Sequence, residues 1–364
     1  MNMTVFYGPV EEFEKIIPEA KTNTLSWIVK EIDLLLHQGL RLKEFEAFHS
    51  LIIYSDEYSG VKDHFIEGFI NNIFEYKSIY GFEEVYIHNP PKRIVDQLKN
   101  SKLKISLSNE EFEYKKMTRE TLANIKYNFD SEVFGQETAK NEILQTLYPL
   151  INVGRQKPVV LMLYGPAGVG KTETAKLMNE ILYGNKTDLF RIQLSMFHND
   201  TFSSYLFGDR TNSFAKDLID RETNLILLDE FDKANPIFYS AFYQMFDEGK
   251  FVDKYYDVKL DNAIILCTSN YQNTREIEER LGSAIYSRFD NFVKYQPLST
   301  VAKKKIMQKS YESELKRFNE EDREFLEKEG ILEKMTPVLD QLHNAREIHK
   351  FMKRLLSFPL IERI

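Results

Sequence analysis

The stretch LMLYGPAGVGKTETAK, residues 161–176, places three glycines, a lysine and a threonine between an apolar run and a helix-forming run. Its centre fits the pattern G-x-x-x-x-G-K-[ST], in which backbone N–H groups wrap a chain of phosphates. The amino end of the following helix adds the positive end of its dipole. We predict that Lys171 reaches the β- and γ-phosphates of a nucleotide and that the Thr172 hydroxyl binds Mg²⁺. The residues expected to bind the nucleotide in this stretch are Gly165, Pro166, Ala167, Gly168, Val169, Gly170, Lys171, Thr172 and Glu173.

A pair of carboxylates follows a second apolar run, in the segment LILLDEFDKA. Asp229 and Glu230 come at the predicted end of a buried strand. A carboxylate at that point can hold Mg²⁺, directly or through water. The next carboxylate can polarise a water for attack on the γ-phosphate, as a general base. We therefore assign Asp229 to the nucleotide-bound metal and Glu230 to catalysis, and we expect Asp232 to be a solvated surface acid.

The composition limits the classes of protein that are expected. The chain has 364 residues and a net charge of −8, and this acidic balance argues against a general nucleic-acid binder, which usually carries a basic face. One cysteine, Cys267, excludes an intrachain disulfide and is expected to be a small buried hydrophobe. No signal peptide is visible, and the apolar runs are too short to span a bilayer. We therefore predict a cytoplasmic protein without a membrane segment.

The pattern of apolar residues divides the chain into three predicted domains. Residues 1–108 mix helix and strand periodicities, which predicts a small α/β domain. Residues 109–296 alternate strand and helix, and their continuous apolar runs are typical of a parallel sheet covered on both faces. Residues 297–364 show helical patterns only. The fold class is thus α/β, and the strands predicted in the second domain are residues 159–164, 189–193, 225–228, 263–268 and 291–295.

The segment LLDEFDKANPIFYSAFYQMFDEGKFVD is similar to the corresponding segment of the Clp-type AAA+ ATPases, which are hexameric chaperone-unfoldases, and especially to their second ATPase module. The similarity continues in order along residues 125–364. VFGQETAKNEI resembles the segment that packs on the adenine, so Val133 and Phe134 are implied to contact the base. NAIILCTSN resembles the sensor-1 strand, which ends here in Asn270. The resemblance implies the AAA+ P-loop sheet flanked by helices, followed by a helical lid domain.

Two further segments resemble those that carry arginines in this family. SAIYSRFDNFVKYQPLS is similar to the arginine-finger segment, which implies that Arg288 reaches into the site of the neighbouring subunit. HNAREIHKFMKRLLSFPL is similar to the sensor-2 helix and carries Arg346 in the Gly-Ala-Arg position. The implied catalytic set is Glu230, Asn270, Arg288 and Arg346, with ATP and Mg²⁺ as cofactors. Simpler interpretations stay open: a surface or interface arginine for Arg288, a solvated lid arginine for Arg346 and a strand cap for Asn270.

The sequence also departs from the family. Only DRTN, residues 209–212, lies where the unfoldases carry a longer loop with an aromatic pore residue. Tyr205, Phe207 and Phe214 are nearby aromatics, and core packing is the expectation for each. Tyr255 and Tyr256 are expected at a hairpin tip that lines a channel or faces solvent or a neighbour. No Ile-Gly-Phe or Ile-Gly-Leu tripeptide is present, so docking to a Clp peptidase has no support.

Three functions compete at this point. The first is an ATP-driven remodeller that assembles as a homo-oligomeric ring, hexameric as in the family, and recognises a protein partner or effector through residues 1–108. The second is a nucleotide-gated switch that controls the assembly or activity of an effector, for example in a defence or stress complex, without processive threading. The third is a DNA-associated loader, against which the acidic balance and the Clp-like motifs argue. Nothing in residues 1–108 names a ligand.

Overall fold

The computed structural model describes residues 1–38, 47–58, 61, 63–152, 155–197, 199–208 and 213–363. The predicted short loop at residues 209–212 lies outside the described residues. In chain order, the strands are β1 (Asn2–Tyr7), β2 (Thr22–Thr24), β3 (Ser50–Ile53), β4 (Glu84–His88), β5 (Ser106–Glu111), β6 (Val159–Tyr164), β7 (Phe190–Gln193), β8 (Leu225–Asp229), β9 (Lys250–Val252), β10 (Asp257–Lys259), β11 (Ile264–Ser269) and β12 (Asn291–Lys294). The α-helices are α1 (Val10–Ile16), α2 (Leu25–Gln38), α3 (Asp63–Glu67), α4 (Phe69–Tyr80), α5 (Lys92–Asn100), α6 (Arg119–Glu132), α7 (Glu137–Leu147), α8 (Lys171–Tyr183), α9 (Asn199–Phe207), α10 (Phe214–Ile219), α11 (Tyr239–Glu248), α12 (Thr274–Leu281), α13 (Ser283–Tyr286), α14 (Thr300–Leu315), α15 (Glu320–Lys328), α16 (Ile331–Met335) and α17 (Ala345–Ile361).

The chain divides into two compact units, each built from more than one stretch of sequence. The first unit adds two segments of the predicted second domain to the N-terminal region. The division into three domains at residues 108 and 296 stays a prediction. The first unit consists of Met1–Tyr114, Phe197–Glu222 and Lys250–Leu260, and the second of Lys115–Met196, Thr223–Gly249 and Asp261–Ile364.

The first unit is built around a parallel sheet with the strand order β2-β3-β4-β1-β5. Strand β1 lies inside this sheet and pairs with β4 on one side and β5 on the other. The helical periodicity at residues 61–80 corresponds to two helices, α3 and α4, which meet at Gly68. Glycine has a low helix propensity, which accounts for a break at this point. Phe69 and Ile73 of α4 are fully buried in the hydrophobic core of this unit.

The aromatic residues that flank the predicted pore segments lie in this first unit. Tyr205 and Phe214 are buried as expected, whereas Phe207 is 54% exposed, so the expectation of core packing was wrong for it. Tyr256 was expected to line a channel or to face solvent or a neighbour. That prediction was also wrong, because the side chain of Tyr256 is buried. The Asp253 carboxylate accepts hydrogen bonds from the backbone N–H groups of Tyr255 and Tyr256, at 2.7 and 2.6 Å, and this turn directs the chain back.

The second unit contains a parallel sheet with the order β12-β6-β11-β8-β7. Every residue of β6, β8 and β11 is buried, which follows from their continuous apolar sequences and from helices on both faces. The strands lie within one residue of the predicted bounds, and the predicted α/β class with a parallel sheet flanked by helices is confirmed. Cys267, in β11, is buried as expected.

After β12, the described chain to residue 363 forms helices only, from α14 to α17. Ile348, Met352 and Leu356 recur every four residues on α17 and are fully buried, so one face of this helix packs into the core. Side-chain caps begin α14 at Ser299 and α17 at Asn344. None of the described helices is both long and apolar enough to cross a membrane.

Candidate functional site

The glycine-rich loop lies between β6 and α8, as predicted. Gly165, Gly168 and Gly170 have φ angles of 134°, 70° and 112°, in the region that side-chain-bearing residues rarely adopt. A Cβ atom on Gly165 would collide with the carbonyl oxygen of Tyr295, and one on Gly170 would lie 2.8 Å from Cγ1 of Val133. The glycines are therefore required both by the backbone turn and by the close packing of the loop.

The loop forms one wall of a cavity of about 450 Å³ in the second unit. Most of the predicted site residues line this cavity. Gly165, Pro166 and Arg288 are the predicted residues that do not. The predicted residues in the lining are Val133, Phe134, Ala167, Gly168, Val169, Gly170, Lys171, Thr172, Glu173, Asp229, Glu230, Asn270 and Arg346.

The Lys171 ammonium donates hydrogen bonds to oxygens at the carboxyl edge of the sheet. Its Nζ lies 2.6 Å from the carbonyl oxygens of Gly165 and Pro166 and 3.3 Å from Oδ1 of Asn270. Burial lowers the pKa of Lys171 to about 8, against the attraction of nearby carboxylates. An anion in the cavity would stabilise this charge, so the site favours a phosphate.

Asp229 lies at the end of β8 with its carboxylate buried. Its Oδ1 lies 3.4 Å from the Thr172 hydroxyl and also accepts a hydrogen bond from Thr268. Its Oδ2 accepts from Arg191, at 3.0 Å from Nε and 2.5 Å from Nη2. A carboxylate beside a hydroxyl is an oxygen donor set that suits Mg²⁺, which takes one or two protein carboxylates and completes its coordination with phosphates and water. In the described part of the chain, no cluster of three or more His, Cys, Asp or Glu side chains could hold a metal.

Glu230 adopts a left-handed backbone conformation, with φ at 57°. Its N–H donates to the Thr268 hydroxyl at 2.9 Å, and its Oε2 accepts from Nε2 of Gln193 at 3.3 Å. Non-glycine residues held in this region are often found at functional sites, where the surrounding structure maintains the strain. The two neighbouring carboxylates have different partners, since Asp229 contacts Thr172 and Arg191 whereas Glu230 contacts Gln193.

Asp232 is not a solvated acid, and that prediction was wrong. Its side chain is 6% exposed, and its Oδ1 is buried without a hydrogen-bond partner, while Oδ2 pairs with Lys233 at 3.2 Å. The chain after Glu230 forms a short 3₁₀ turn that carries the carboxylate inward. The negative charge of Asp232 raises the pKa of Lys171 and opposes the effect of burial. Asp232 is therefore a further acidic group at the edge of the site.

Helix α17 begins directly at the glycine-rich loop. The N–H of Ala345 donates to the carbonyl oxygen of Gly168 at 2.9 Å, and the Asn344 side chain caps the helix by accepting from the N–H of Glu347 at 3.0 Å. Arg346 follows in the first turn and lines the cavity. The positive charge of Arg346 repels that of Lys171 and so contributes to lowering the pKa of Lys171.

The other end of the cavity is more apolar. Val133 is buried, and Phe134, Leu298 and Ile306 complete a surface suited to a planar ring. The ammonium of Lys309 lies 5.9 Å from the ring centroid of Phe134. This arrangement agrees with the implied contact of Val133 and Phe134 with the base, although the residue roles themselves stay predictions.

Arg288 lies outside this cavity. Its Nε donates to Asp247 at 2.7 Å, its guanidinium also bonds the carbonyl oxygen of Ala284, and it lies 4.3 Å from the ring centroid of Tyr243. Within one chain, the cations that line the cavity are Lys171, Lys176, Arg191, Lys309 and Arg346. Arg288 therefore does not contribute to the site of its own chain. Its implied role in the site of a neighbouring subunit stays a prediction.

The sequence reasoning missed several residues that the fold brings to the cavity. Arg191 lies within the short strand β7 and Lys309 within helix α14, and neither belongs to a motif identified in the sequence. His349 lies one turn after Arg346, with Nδ1 2.7 Å from the Ser310 hydroxyl, and burial lowers its pKa, which favours the neutral imidazole. Thr268 was the one with a usable signal, because it lies two positions before Asn270, near the end of an apolar strand.

Comparisons with known proteins agree with this geometry. Residues 156–329 match the sequence model of the family described as AAA domain (Cdc48 subfamily). The chain is 31% identical over 176 residues to the ATP-dependent Clp protease ATP-binding subunit ClpL of Staphylococcus aureus, across 44% of this chain and 25% of that protein. The chain thus spans about a quarter of the length of the curated relatives that it matches.

Two solved structures have a similar fold. One is the Saccharomyces cerevisiae Hsp104–ADP complex, with a TM-score of 0.51 and 20% identity over 67% of this chain and 49% of that chain. The other is a closed state of Hsp104 with ATPγS and FITC casein, with a TM-score of 0.54 and 14% identity over 100% of this chain and 88% of that chain. At these identities the likeness concerns the fold alone. Together with the family match, it confirms the resemblance to Clp-type AAA+ ATPases.

Proposed function

From this resemblance to the Clp-type AAA+ ATPases, we propose that the chain binds and hydrolyses ATP with Mg²⁺, assembles into a ring and uses the cycle to remodel or regulate a protein partner. The observation that carries the proposal is the convergence of Lys171, Thr172, Asp229 and Glu230 on one cavity. These residues come from two separate parts of the sequence, and each has a chemical role in phosphoryl transfer.

Each polar group has a defined task in the proposed reaction. Lys171 and Arg346 place positive charge where the phosphoryl oxygens gain negative charge, which lowers the energy of the transition state. Glu230 accepts a proton from the attacking water as the new bond to the γ-phosphorus forms, while the bond from that phosphorus to the bridging oxygen breaks and ADP leaves. Asn270 orients that water or contacts the γ-phosphate. Thr172 and Asp229 would hold Mg²⁺, which supplies further charge neutralisation when bound.

The proposal of a ring rests on the position of Arg288. This arginine lies outside the cavity of its own chain and is the one member of the implied catalytic set that does so. If it acts in a neighbouring subunit, each site is incomplete until the chains assemble. We propose a homo-oligomer, hexameric in the manner of the Clp-type family, in which residues 1–108 recognise the protein partner.

The test is the ATPase rate per subunit as a function of protein concentration, in the presence of Mg²⁺. Glu230→Gln is the blank, because the amide keeps the shape of the side chain but cannot act as a base. We expect a rate well above the blank that climbs with concentration and then reaches a plateau. A rate equal to the blank would overturn the proposed hydrolysis, and a rate that stays constant down to concentrations where light scattering shows monomers would overturn the shared site.

A further inference from the structure

The first unit contains a second cavity, of about 440 Å³, which the nucleotide site does not use. It lies at the carboxyl ends of three neighbouring strands. Gly8 follows β1, Pro90 follows β4, and Phe112 follows β5, and all three line it. In open parallel sheets, ligands bind in the crevice outside the carboxyl ends of the strands. The cavity matches the one beside the glycine-rich loop in size, at 440 against 450 Å³.

Hydrogen bonds within the first unit hold the walls of this cavity together. The N–H of Lys92 donates to the carbonyl oxygen of Tyr255 at 2.8 Å, and its Nζ donates to the carbonyl oxygen of Asp253 at 2.9 Å. The Tyr114 hydroxyl donates to the carbonyl oxygen of Arg221 at 3.0 Å. These bonds join the N-terminal region to residue 221, in the lining segment 219–221, and to residues 253–255, next to the lining segment 256–259. The cavity is therefore preformed, as small-molecule sites usually are.

The charge of the lining favours an anion. Arg221 is only 5% exposed, so its positive charge acts where water screens little. Its guanidinium lies 4.3 Å from the ring centroid of Tyr114 and donates to the carbonyl oxygen of Lys259 at 3.3 Å, which fixes its orientation. Its Nη1 also donates to the carbonyl oxygen of Leu218, so the backbone holds the guanidinium in place and its fixed positive charge would attract a phosphate. The charged residues of the lining are Lys92, Lys99, Arg221 and Lys259 on the basic side and Asp96, Glu111 and Asp257 on the acidic side.

The remaining lining suits a planar ring. Tyr7, Phe112, Tyr114 and Tyr256 contribute aromatic side chains, next to the aliphatic groups of Val95, Ile219 and Val258. Aromatic and aliphatic walls with a few convergent charges are typical of sites for small molecules that carry both a ring and an anionic group. We propose that this cavity binds a mononucleotide, with the phosphate on the side of Arg221 and the base against the aromatic side chains.

The proposal is independent of ATP hydrolysis, because it concerns residues that the nucleotide cavity of the second unit does not contain. The test therefore uses the full chain with Lys171→Ala, which removes the phosphate contact of the first site. The probes are AMP, GMP, CMP and UMP, each titrated by calorimetry and by the shift of the thermal unfolding midpoint at physiological salt. We expect at least one of them to bind with a stoichiometry of one and a Kd below about 1 mM.

Charge reversal in the lining then decides whether binding occurs in this cavity. In the Lys171→Ala background, the double change Lys99→Glu and Lys259→Glu affects exposed side chains, so the fold is expected to persist, which circular dichroism checks. It should weaken the binding about tenfold or more. The matched control, Lys102→Glu with Lys104→Glu, changes the charge of the same unit equally on exposed residues outside the lining and should leave Kd unchanged. The proposal is overturned if no probe binds at millimolar concentration, or if both double variants have the same effect.

Discussion

Arg191 holds the carboxylate of Asp229 through two nitrogen atoms that contact one oxygen, at 3.0 Å from Nε and 2.5 Å from Nη2. The hydroxyls of Thr172 and Thr268 contact the other oxygen. The guanidinium thus balances a buried charge at the place where we propose that Mg²⁺ binds. In that proposal, two cations would share this carboxylate, and each could compensate for loss of the other.

Arg191→Ala should therefore destabilise the protein in a way that depends on the metal. Without Mg²⁺ and nucleotide, we expect a loss of about 1–2 kcal/mol in the free energy of unfolding, less than for a fully buried pair because Arg191 is partly exposed. With Mg²⁺ and ADP, the loss should shrink, since the metal replaces the missing charge. Urea unfolding in both conditions measures it. Arg155→Ala is the matched control, since Arg155 pairs with Asp290 at 2.7 Å outside the cavity, and its effect should not respond to Mg²⁺ and ADP. Equal responses of the two variants would contradict the prediction.

Nucleotide affinity should fall with rising pH above about 8. Burial lowers the pKa of Lys171 to about 8, so the free protein carries the ammonium below this pH and loses it above. Because only the charged form attracts phosphate, the Kd for ADP should rise up to about tenfold per pH unit above 8 until the pKa of the bound state is reached. Calorimetry from pH 7 to 9.5 measures it. Lys171→Arg, which stays charged throughout, should show a flat profile, and a flat profile for the unchanged protein would refute the prediction.

The same lowered pKa has an effect of opposite sign on stability. Between pH 8 and the ordinary value of 10.5, the unfolded chain binds more protons at Lys171 than the folded chain does. The contribution of Lys171 to the free energy of unfolding should therefore rise with pH across this window. Urea unfolding of the unchanged protein and of Lys171→Met at pH 7.5 and 10 measures this contribution. The amount by which the methionine variant exceeds the unchanged protein in free energy of unfolding should be smaller at pH 10.

Arg288→Ala should bind ADP with unchanged affinity, because Arg288 lies outside the cavity of its own chain. Its ATPase rate should fall about 10²-fold or more, which is typical for loss of a charge that acts on the transition state. Mixed with Lys171→Ala protein, some rate should return, since the second chain supplies the arginine to an intact site. Arg275→Ala, at an exposed arginine paired with Glu279, is the control and should keep full activity. Normal hydrolysis by Arg288→Ala would exclude the role in a neighbouring subunit.

Gly165→Ala and Gly184→Ala should separate backbone strain from loss of the site. Both glycines have positive φ, at 134° and 94°, so each alanine should cost about 1–3 kcal/mol of stability. An added Cβ at Gly184 meets no atom within 4 Å, whereas at Gly165 it collides with the backbone of Tyr295. Only Gly165→Ala should therefore lose ADP binding, measured by calorimetry. Equal affinities in the two variants would show that the loop tolerates this displacement.

Asp220→Asn should stabilise the first unit at neutral pH. Burial, followed by the charge of Asp56, raises the pKa of Asp220 from 3.8 to about 7, while Lys216 opposes the shift. The folded form then binds the extra proton, so the stability that the neutral carboxyl contributes is complete below pH 4 and is lost as the pH rises through 7. Thermal unfolding should show no difference from the unchanged protein near pH 4 and a growing advantage of Asp220→Asn up to pH 7.5. Asp261→Asn, at an exposed site, should show no such trend.

The fold of the second unit was largely predictable because its signals are local. The three central strands of its sheet, β6, β8 and β11, are short runs that are buried along their whole length, and the glycine-rich loop joins β6 directly to a helix. The order of motifs along the chain also carried the resemblance to the Clp-type family. Residues such as Lys171, Asp229 and Asn270 could be chosen for this reason, since Lys171 ends the glycine-rich motif and the other two lie at the ends of recognisable strands.

The sequence alone therefore determined the parallel sheet, the glycine-rich loop and the residues at the strand ends, because these depend on neighbours within a few positions. Only the tertiary structure decided which side chains from distant segments contact these residues. Arg191 reaches Asp229, 38 positions away in the chain, and the buried position of Asp232 depends on a turn that its apolar flanks did not reveal. The same holds for the first unit, where Lys216 pairs with Asp56 at 2.5 Å across 160 positions. Such pairs follow from packing and charge in three dimensions, and no local periodicity encodes them.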